Sequence, residues 1–238
     1  MGATASAYST RQPFVASEAG NVTEIVSYEP ATGAEIWRGR PCDVDEVVGR
    51  ARRAWPTWAA QPLATRIELL RRFANEVRKD AEKLAATIAR EVGKPLWEAR
   101  AEVESVVAKV EVSIRAYAER TSQRKLDSAL QGTMAVRHKP HGVLVVLGPF
   151  NFPAHLPNAH IVPALLAGNA VIFKPSEKAP ATGEMLARCF HRAGISAAVM
   201  QFAAGGPLEG QDFVAHDGID GVLFTGSANT GISINRRL

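Results

Sequence analysis

The feature that most restricts this chain is an alternation that begins at Gly132. Four short apolar runs, Val143–Leu147, Ala170–Lys174, Ala198–Phe202 and Val222–Phe224, are separated by helical patterns at about 155–167, 180–193 and 207–216. The runs are continuous and rich in Val, Ile and Phe, as strands covered on both faces are. Strand–helix repetition of this kind predicts parallel strands, right-handed crossovers and helices on both faces of the sheet. The fold class is therefore α/β, a doubly wound parallel sheet. Ligands of such sheets bind beyond the carboxyl ends of the strands. Segments 148–153, 174–177 and 225–231 fall there.

The residues ahead of the sheet divide into two parts. Residues 1–21 are small and polar and read as a flexible N-terminal tail. Residues 22–131 form a set of strands and helices, leaving 132–238 as a Rossmann-like core. Short β-like pieces at 22–40 surround the turn signal Pro30-Ala31-Thr32-Gly33. Three helices should follow. The first opens at Asp43, with Glu46 placed as in a capping box, and Pro56 stops it. The second begins near Pro62 and carries the stripe Leu63, Ile67, Leu70, Phe73, Val77, Leu84 and Ile88 until Gly93 and Pro95 end it. The third runs from Leu96 to Arg120 and buries Val103, Val106, Val110, Ile114 and Tyr117. Residues 121–132 read as a polar loop.

Composition narrows the function classes. The net charge of +4 is carried by Lys and Arg interleaved with Glu and Asp, as along Arg66–Lys79. That pattern fits solvated helix faces better than a nucleic-acid surface, and no nucleic-acid motif accompanies it. The two cysteines, Cys42 and Cys189, have neither disulfide nor zinc spacing, so no metal is expected. No apolar run approaches the ~18 residues of a membrane span. The start lacks a secretory pattern, which makes the Asn21-Val22-Thr23 sequon a chance match and a cytoplasmic location the expectation.

The three strand-end segments hold the candidate chemistry. In Phe224-Thr225-Gly226-Ser227-Ala228-Asn229-Thr230-Gly231 a strand ends, Gly226 turns the backbone and a helix starts. Exposed N–H groups and the helix dipole there suit an anion, and Ser227 adds a hydroxyl. A plain glycine-started helix would look the same. The G-x-G-x-x-G fingerprint is absent, and Ile232 replaces the lysine of a P-loop. In Phe173-Lys174-Pro175-Ser176-Glu177, Lys174 can donate to ribose hydroxyls and Glu177 can accept from them. Glu177 would also repel a 2′-phosphate, which favours NAD over NADP. A surface turn at Pro175 is the alternative. In Gly148-Pro149-Phe150-Asn151-Phe152-Pro153, restricted backbone around Asn151 could aim its amide at a developing oxyanion, or simply form an Asx-type turn.

Together and in this order, the three segments resemble the aldehyde dehydrogenase superfamily. Pro30-Ala31-Thr32-Gly33, Asp43-Val44-Asp45 and Glu91-Val92-Gly93-Lys94-Pro95 extend the resemblance over roughly residues 22–238. Within it, Asn151–His160, Lys109–Tyr117 and Gly226–Gly231 are similar to the succinylglutamate semialdehyde dehydrogenase branch. That branch oxidises an N-succinylated glutamate semialdehyde to the acid with NAD, in arginine breakdown. Another aldehyde dehydrogenase branch, or a non-catalytic NAD-binding fragment, remains open from the sequence.

The resemblance implies roles. A cysteine thiolate attacks the aldehyde, hydride passes to NAD, and a glutamate activates water to release the acid. Asn151 matches the oxyanion-holding asparagine, and Lys174 and Glu177 match the adenosine-ribose contacts. Ser227 matches a pyrophosphate contact, Gly226 its turn, and Gly231 the glycine that follows. Gly206 and Gly210 match glycines that start the preceding helix against the cofactor. The family's nucleophile and base lie further along its chain, and this sequence ends at Leu238. Cys42 and Cys189 stand in the wrong context to replace the nucleophile. The 238-residue chain is therefore expected to be inactive alone, and an uncovered sheet edge would make it prone to aggregation. Longer relatives of this kind form homo-oligomers. His155 and His160 could reach the aldehyde substrate, with core or cap roles as the alternative.

Overall fold

The computed structural model describes residues 24–122, 124–127 and 133–238. The expected tail, 1–21, and the sequon lie outside the described residues. In chain order the elements begin with β1 (Ile25–Tyr28) and β2 (Glu35–Gly39), an antiparallel pair turned at Gly33, whose φ is +73°. Four helices follow: α1 (Val44–Ala59), α2 (Leu63–Lys79), α3 (Ala81–Val92) and α4 (Leu96–Arg120). A second antiparallel pair, β3 (Arg124–Asp127) and β4 (Thr133–Val136), leads into the sheet. There β5 (Val143–Leu147), α5 (His155–Leu166), β6 (Ala170–Lys174), α6 (Pro180–Arg192), β7 (Met200–Phe202), α7 (Pro207–Ala215), β8 (Gly221–Phe224) and α8 (Ala228–Arg237) alternate.

The four sheet strands are parallel, in the order β7-β6-β5-β8. Their unbroken apolar sequence is explained by two cores. Leu144, Val146, Val171 and Phe173 face α2 to α6, where Phe73 stacks on Phe190 with ring centroids 3.6 Å apart. Val143, Val145, Ala170 and Ile172 face the opposite way, onto Val47, Val48 and Ala51 of α1 and Phe213 of α7. In β5 and β6 the side chains still alternate, but both faces are dry, whereas β8 is half-buried along its length.

Four expectations need correction. Pro56 does not stop α1, which runs to Ala59. Trp55 and Trp58 donate indole N–H groups to Gly168 O (3.2 Å) and Leu165 O (3.1 Å). This anchoring at the end of α5 carries the helix past the missing N–H of Pro56. The second predicted helix is two helices broken at Asp80, whose backbone leaves the helical region (φ −99°, ψ 12°). Arg192 of α6 binds that carboxylate at 2.5 Å, so a tertiary ion pair holds the break. The expected loop 121–132 contains strand β3, paired by backbone bonds that a polar sequence does not advertise. Residues 198 and 199 belong to the turn before β7 rather than to the strand, because Val199 N–H bonds back to Ser196 O. Among the described residues, no helix is long and apolar enough to cross a membrane.

Candidate cofactor crevice

The chain moves outward from β5 to β6 and β7, then returns to place β8 on the other side of β5. That reversal opens a crevice beyond the carboxyl ends of β5 and β8, the place where doubly wound sheets bind ligands. All three strand-end segments reach this edge.

After β6, Lys174 is buried, and its Nζ donates to Pro175 O at 3.2 Å. Among the described residues that carbonyl is the one acceptor it has, which leaves two ammonium protons for a ligand. Burial pushes the Lys174 pKa down, and the nearby Glu177 and Glu209 carboxylates oppose that shift. Gly210 lies along the Lys174 stem, where an added Cβ would sit 3.6 Å from Cε. Gly206 caps α7, and its N–H donates to Glu209 Oε2 at 2.6 Å. The structure thus groups Lys174, Glu177, Gly206 and Gly210.

After β8, Thr225 N–H reaches Leu147 O at 3.3 Å, and Thr225 Oγ1 lies 3.0 Å from His160 Nε2. Gly226 is needed for space rather than for a left-handed turn. A Cβ there would lie 2.4 Å from the Phe224 ring. Ser227 is the N-cap of α8, and its Oγ accepts from Thr230 N at 3.2 Å. The hydroxyl expected to serve a ligand thus also caps the helix. Ala228 and Asn229 are exposed in the first helical turn, where backbone N–H groups have no intrahelical acceptor. Gly231 packs over the same Phe224 ring. Burial lowers the pKa of His160, helped by the Lys109 charge, so its ring is neutral at pH 7.

After β5, Asn151 is exposed in a bend at the crevice. Two helix starts beside the crevice are held by glutamates that reach in from the helical layer. Glu102 of α4 accepts the N–H groups of Ala154 (2.9 Å) and His155 (3.0 Å) at the start of α5. Its other oxygen takes Lys94 Nζ at 2.7 Å. Glu91 of α3 accepts Ala181 N, Thr182 N and Thr182 Oγ1, each at 2.8 Å, at the start of α6. It also accepts Ser27 Oγ from β1 at 2.8 Å. Carboxylates at helix N-termini satisfy orphan donors and the dipole together.

Sequence reasoning missed Glu91, Lys94 and Glu102 as site residues. One signal was present. Glu102 falls in the buried stripe Ala99, Val103, Val106, Val110, where a carboxylate requires partners. His155 contributes its backbone N–H to the Glu102 cap, while His160 faces Thr225. Neither cysteine is primed as a nucleophile, since burial raises both thiol pKa values to about 11.

A parallel sheet in the order β7-β6-β5-β8, with helices on both faces and its reversal between β5 and β8, defines a doubly wound α/β protein. The aldehyde dehydrogenase family model matches residues 14–238, and the chain belongs to that family. It is 81% identical over 215 residues to N-succinylglutamate 5-semialdehyde dehydrogenase of Novosphingobium aromaticivorans, covering 90% of this chain and 46% of that relative. It therefore spans under half the length of that protein. Among solved structures, it superposes with a TM-score of 0.84 on an NAD-dependent benzaldehyde dehydrogenase from Corynebacterium glutamicum, at 30% identity, covering 90% of this chain and 48% of the other. An NADP-dependent glyceraldehyde-3-phosphate dehydrogenase from Bacillus halodurans, complexed with NADP, gives a TM-score of 0.84 at 28% identity, covering 90% and 47%.

Proposed function

We propose that this chain is the cofactor-binding part of an NAD-dependent aldehyde dehydrogenase. The aldehyde it serves is N-succinylglutamate 5-semialdehyde, oxidised to N-succinylglutamate. The observation that carries the cofactor reading is the buried Lys174, whose Nζ has Pro175 O as its one acceptor among the described residues, with the Glu177 carboxylate close by, at the carboxyl end of β6. These groups fit a ribose diol, Lys174 donating and Glu177 accepting. A 2′-phosphate would meet the Glu177 charge, which favours NAD. The α8 N-terminus behind Gly226 and Ser227 fits the pyrophosphate. A bound nicotinamide supplies the hydride acceptor. Asn151 donates its amide to the oxyanion that forms on the substrate carbonyl. The substrate reading rests on the 81% identity to the Novosphingobium relative.

Calorimetric titration of the chain with NAD and NADP tests the cofactor. NAD should bind at least about tenfold more tightly, a gap of ~1.4 kcal/mol, and Glu177→Gln should narrow it. Tighter binding of NADP would sink the reading. The chain alone should form no NADH with aldehydes, because neither of its cysteines is activated. A polypeptide carrying this chain and the remaining length of its relatives should prefer N-succinylglutamate 5-semialdehyde to short aliphatic aldehydes. The reverse preference would refute the substrate assignment.

A further inference from the structure

Gly93 ends α3 in a left-handed conformation, φ +71°, and Pro95 then opens α4. This tight corner directs Lys94 inward. Its Nζ lies 4.0 Å from the centroid of the Phe152 ring and 2.7 Å from Glu102 Oε2. The two side chains are only 10% and 0% exposed, so the pair is held away from water. Glu102 Oε1 meanwhile holds the N–H groups of Ala154 and His155. Phe152 is the residue after Asn151, and Ala154 follows Pro153. The segment that presents Asn151 is thus gripped, just after Asn151, by a cation on a ring and a carboxylate on two amides.

We propose that Lys94 and Glu102 are positioning residues that fix where Asn151 presents its amide. The geometry supports this over a purely structural ion pair. A pair serving stability alone has no need to contact the Asn151 segment, yet three of its contacts fall on residues 152, 154 and 155. Placement matters because an oxyanion donor works only within hydrogen-bond reach of the oxygen it stabilises. The inference rests on the oxyanion role assigned to Asn151 above, so its test has two arms.

The first arm is independent of activity. In the 238-residue chain, Lys94→Met should speed amide exchange at Ala154 and His155 and broaden the Asn151 side-chain resonance in NMR spectra. Lys94→Arg, which keeps a cation over the ring, should leave both close to the parent. Unchanged exchange and an unchanged Asn151 signal in Lys94→Met would overturn the proposal. If Lys94→Met does not fold, the Arg variant decides. A broadened Asn151 signal despite the retained cation would then overturn it.

The second arm uses a polypeptide that carries this chain and the remaining length of its relatives. Asn151→Ala should lower kcat by about 100-fold. Lys94→Met should lower it by about tenfold with the KM for NAD unmoved, as expected of a misplaced catalytic group. In an Asn151→Ala background, Lys94→Met should change kcat less than about twofold, since both act through one amide. Equal effects of Lys94→Met in both backgrounds would overturn the proposal. An Asn151→Ala variant with full kcat would instead refute the oxyanion reading, and the exchange arm would still judge the positioning of Asn151.

Discussion

Replacing Glu91 tests how far the helical layer holds the crevice together. Its buried carboxylate accepts four hydrogen bonds at 2.8 Å, from Ser27 Oγ, Ala181 N, Thr182 N and Thr182 Oγ1. Glu91→Ala removes all four acceptors at once. The two hydroxyls can rotate toward other partners. The backbone N–H groups cannot, and that of Thr182 is buried. A buried donor left unpaired costs ~1–3 kcal/mol, and loss of an N-cap acceptor costs about 0.5–2 kcal/mol. These overlap, so the expected destabilisation is about 3 kcal/mol. For a chain of this size that lowers Tm by ~6–12 °C. Glu91→Gln keeps the shape and one acceptor oxygen but turns an NH2 toward donors, so its loss should be about half as large. Urea unfolding with the linear extrapolation measures both. A loss below ~1 kcal/mol for Glu91→Ala, or a larger loss for Gln than for Ala, would refute the argument. Because α6 starts just after Lys174 and Glu177, NAD affinity should fall in the same variants.

Three further outcomes are expected. Gly226→Ala places a Cβ 2.4 Å from the far edge of the half-buried Phe224 ring; the ring must shift, so the cost in unfolding experiments should stay below about 1 kcal/mol while NAD binding weakens. Cys42 and Cys189, with thiol pKa values near 11, should alkylate with iodoacetamide at pH 7 roughly 100-fold more slowly than a free cysteine, as mass spectrometry can follow. For His160 the folded pKa lies below the ordinary value, so the unfolded chain takes up the proton first as pH falls. The stability it contributes is present above about pH 6.5 and is lost as pH drops through the lower folded value. His160→Gln should flatten that part of a stability–pH curve, and an unchanged slope would remove His160 as its source.

Much of this was legible in order along the chain. The apolar runs at 143–147 and 170–174 became β5 and β6 with the same bounds, and Leu96–Arg120 became α4. Periodicity reports these elements because their side chains face a dry core on a regular repeat. The breaks were harder. Pro56 is a stop signal by local chemistry, and only two tryptophans anchored on α5 overrule it. Asp80 interrupts what reads as one stripe, because both helices bury their apolar faces in the same core.

For the crevice, the sequence by itself determined the parallel sheet and which residues stand at the strand ends, Asn151, Lys174, Glu177, Gly226 and Ser227. Those follow from local pattern and from the single way such a pattern closes. Tertiary structure alone decided what holds them. Glu91 and Glu102 cap helices that lie some 90 and 52 residues away in sequence. Lys94 reaches the Phe152 ring from a corner between two other helices. A carboxylate finds its helix N-terminus through packing of whole elements, and no window along the chain contains both partners.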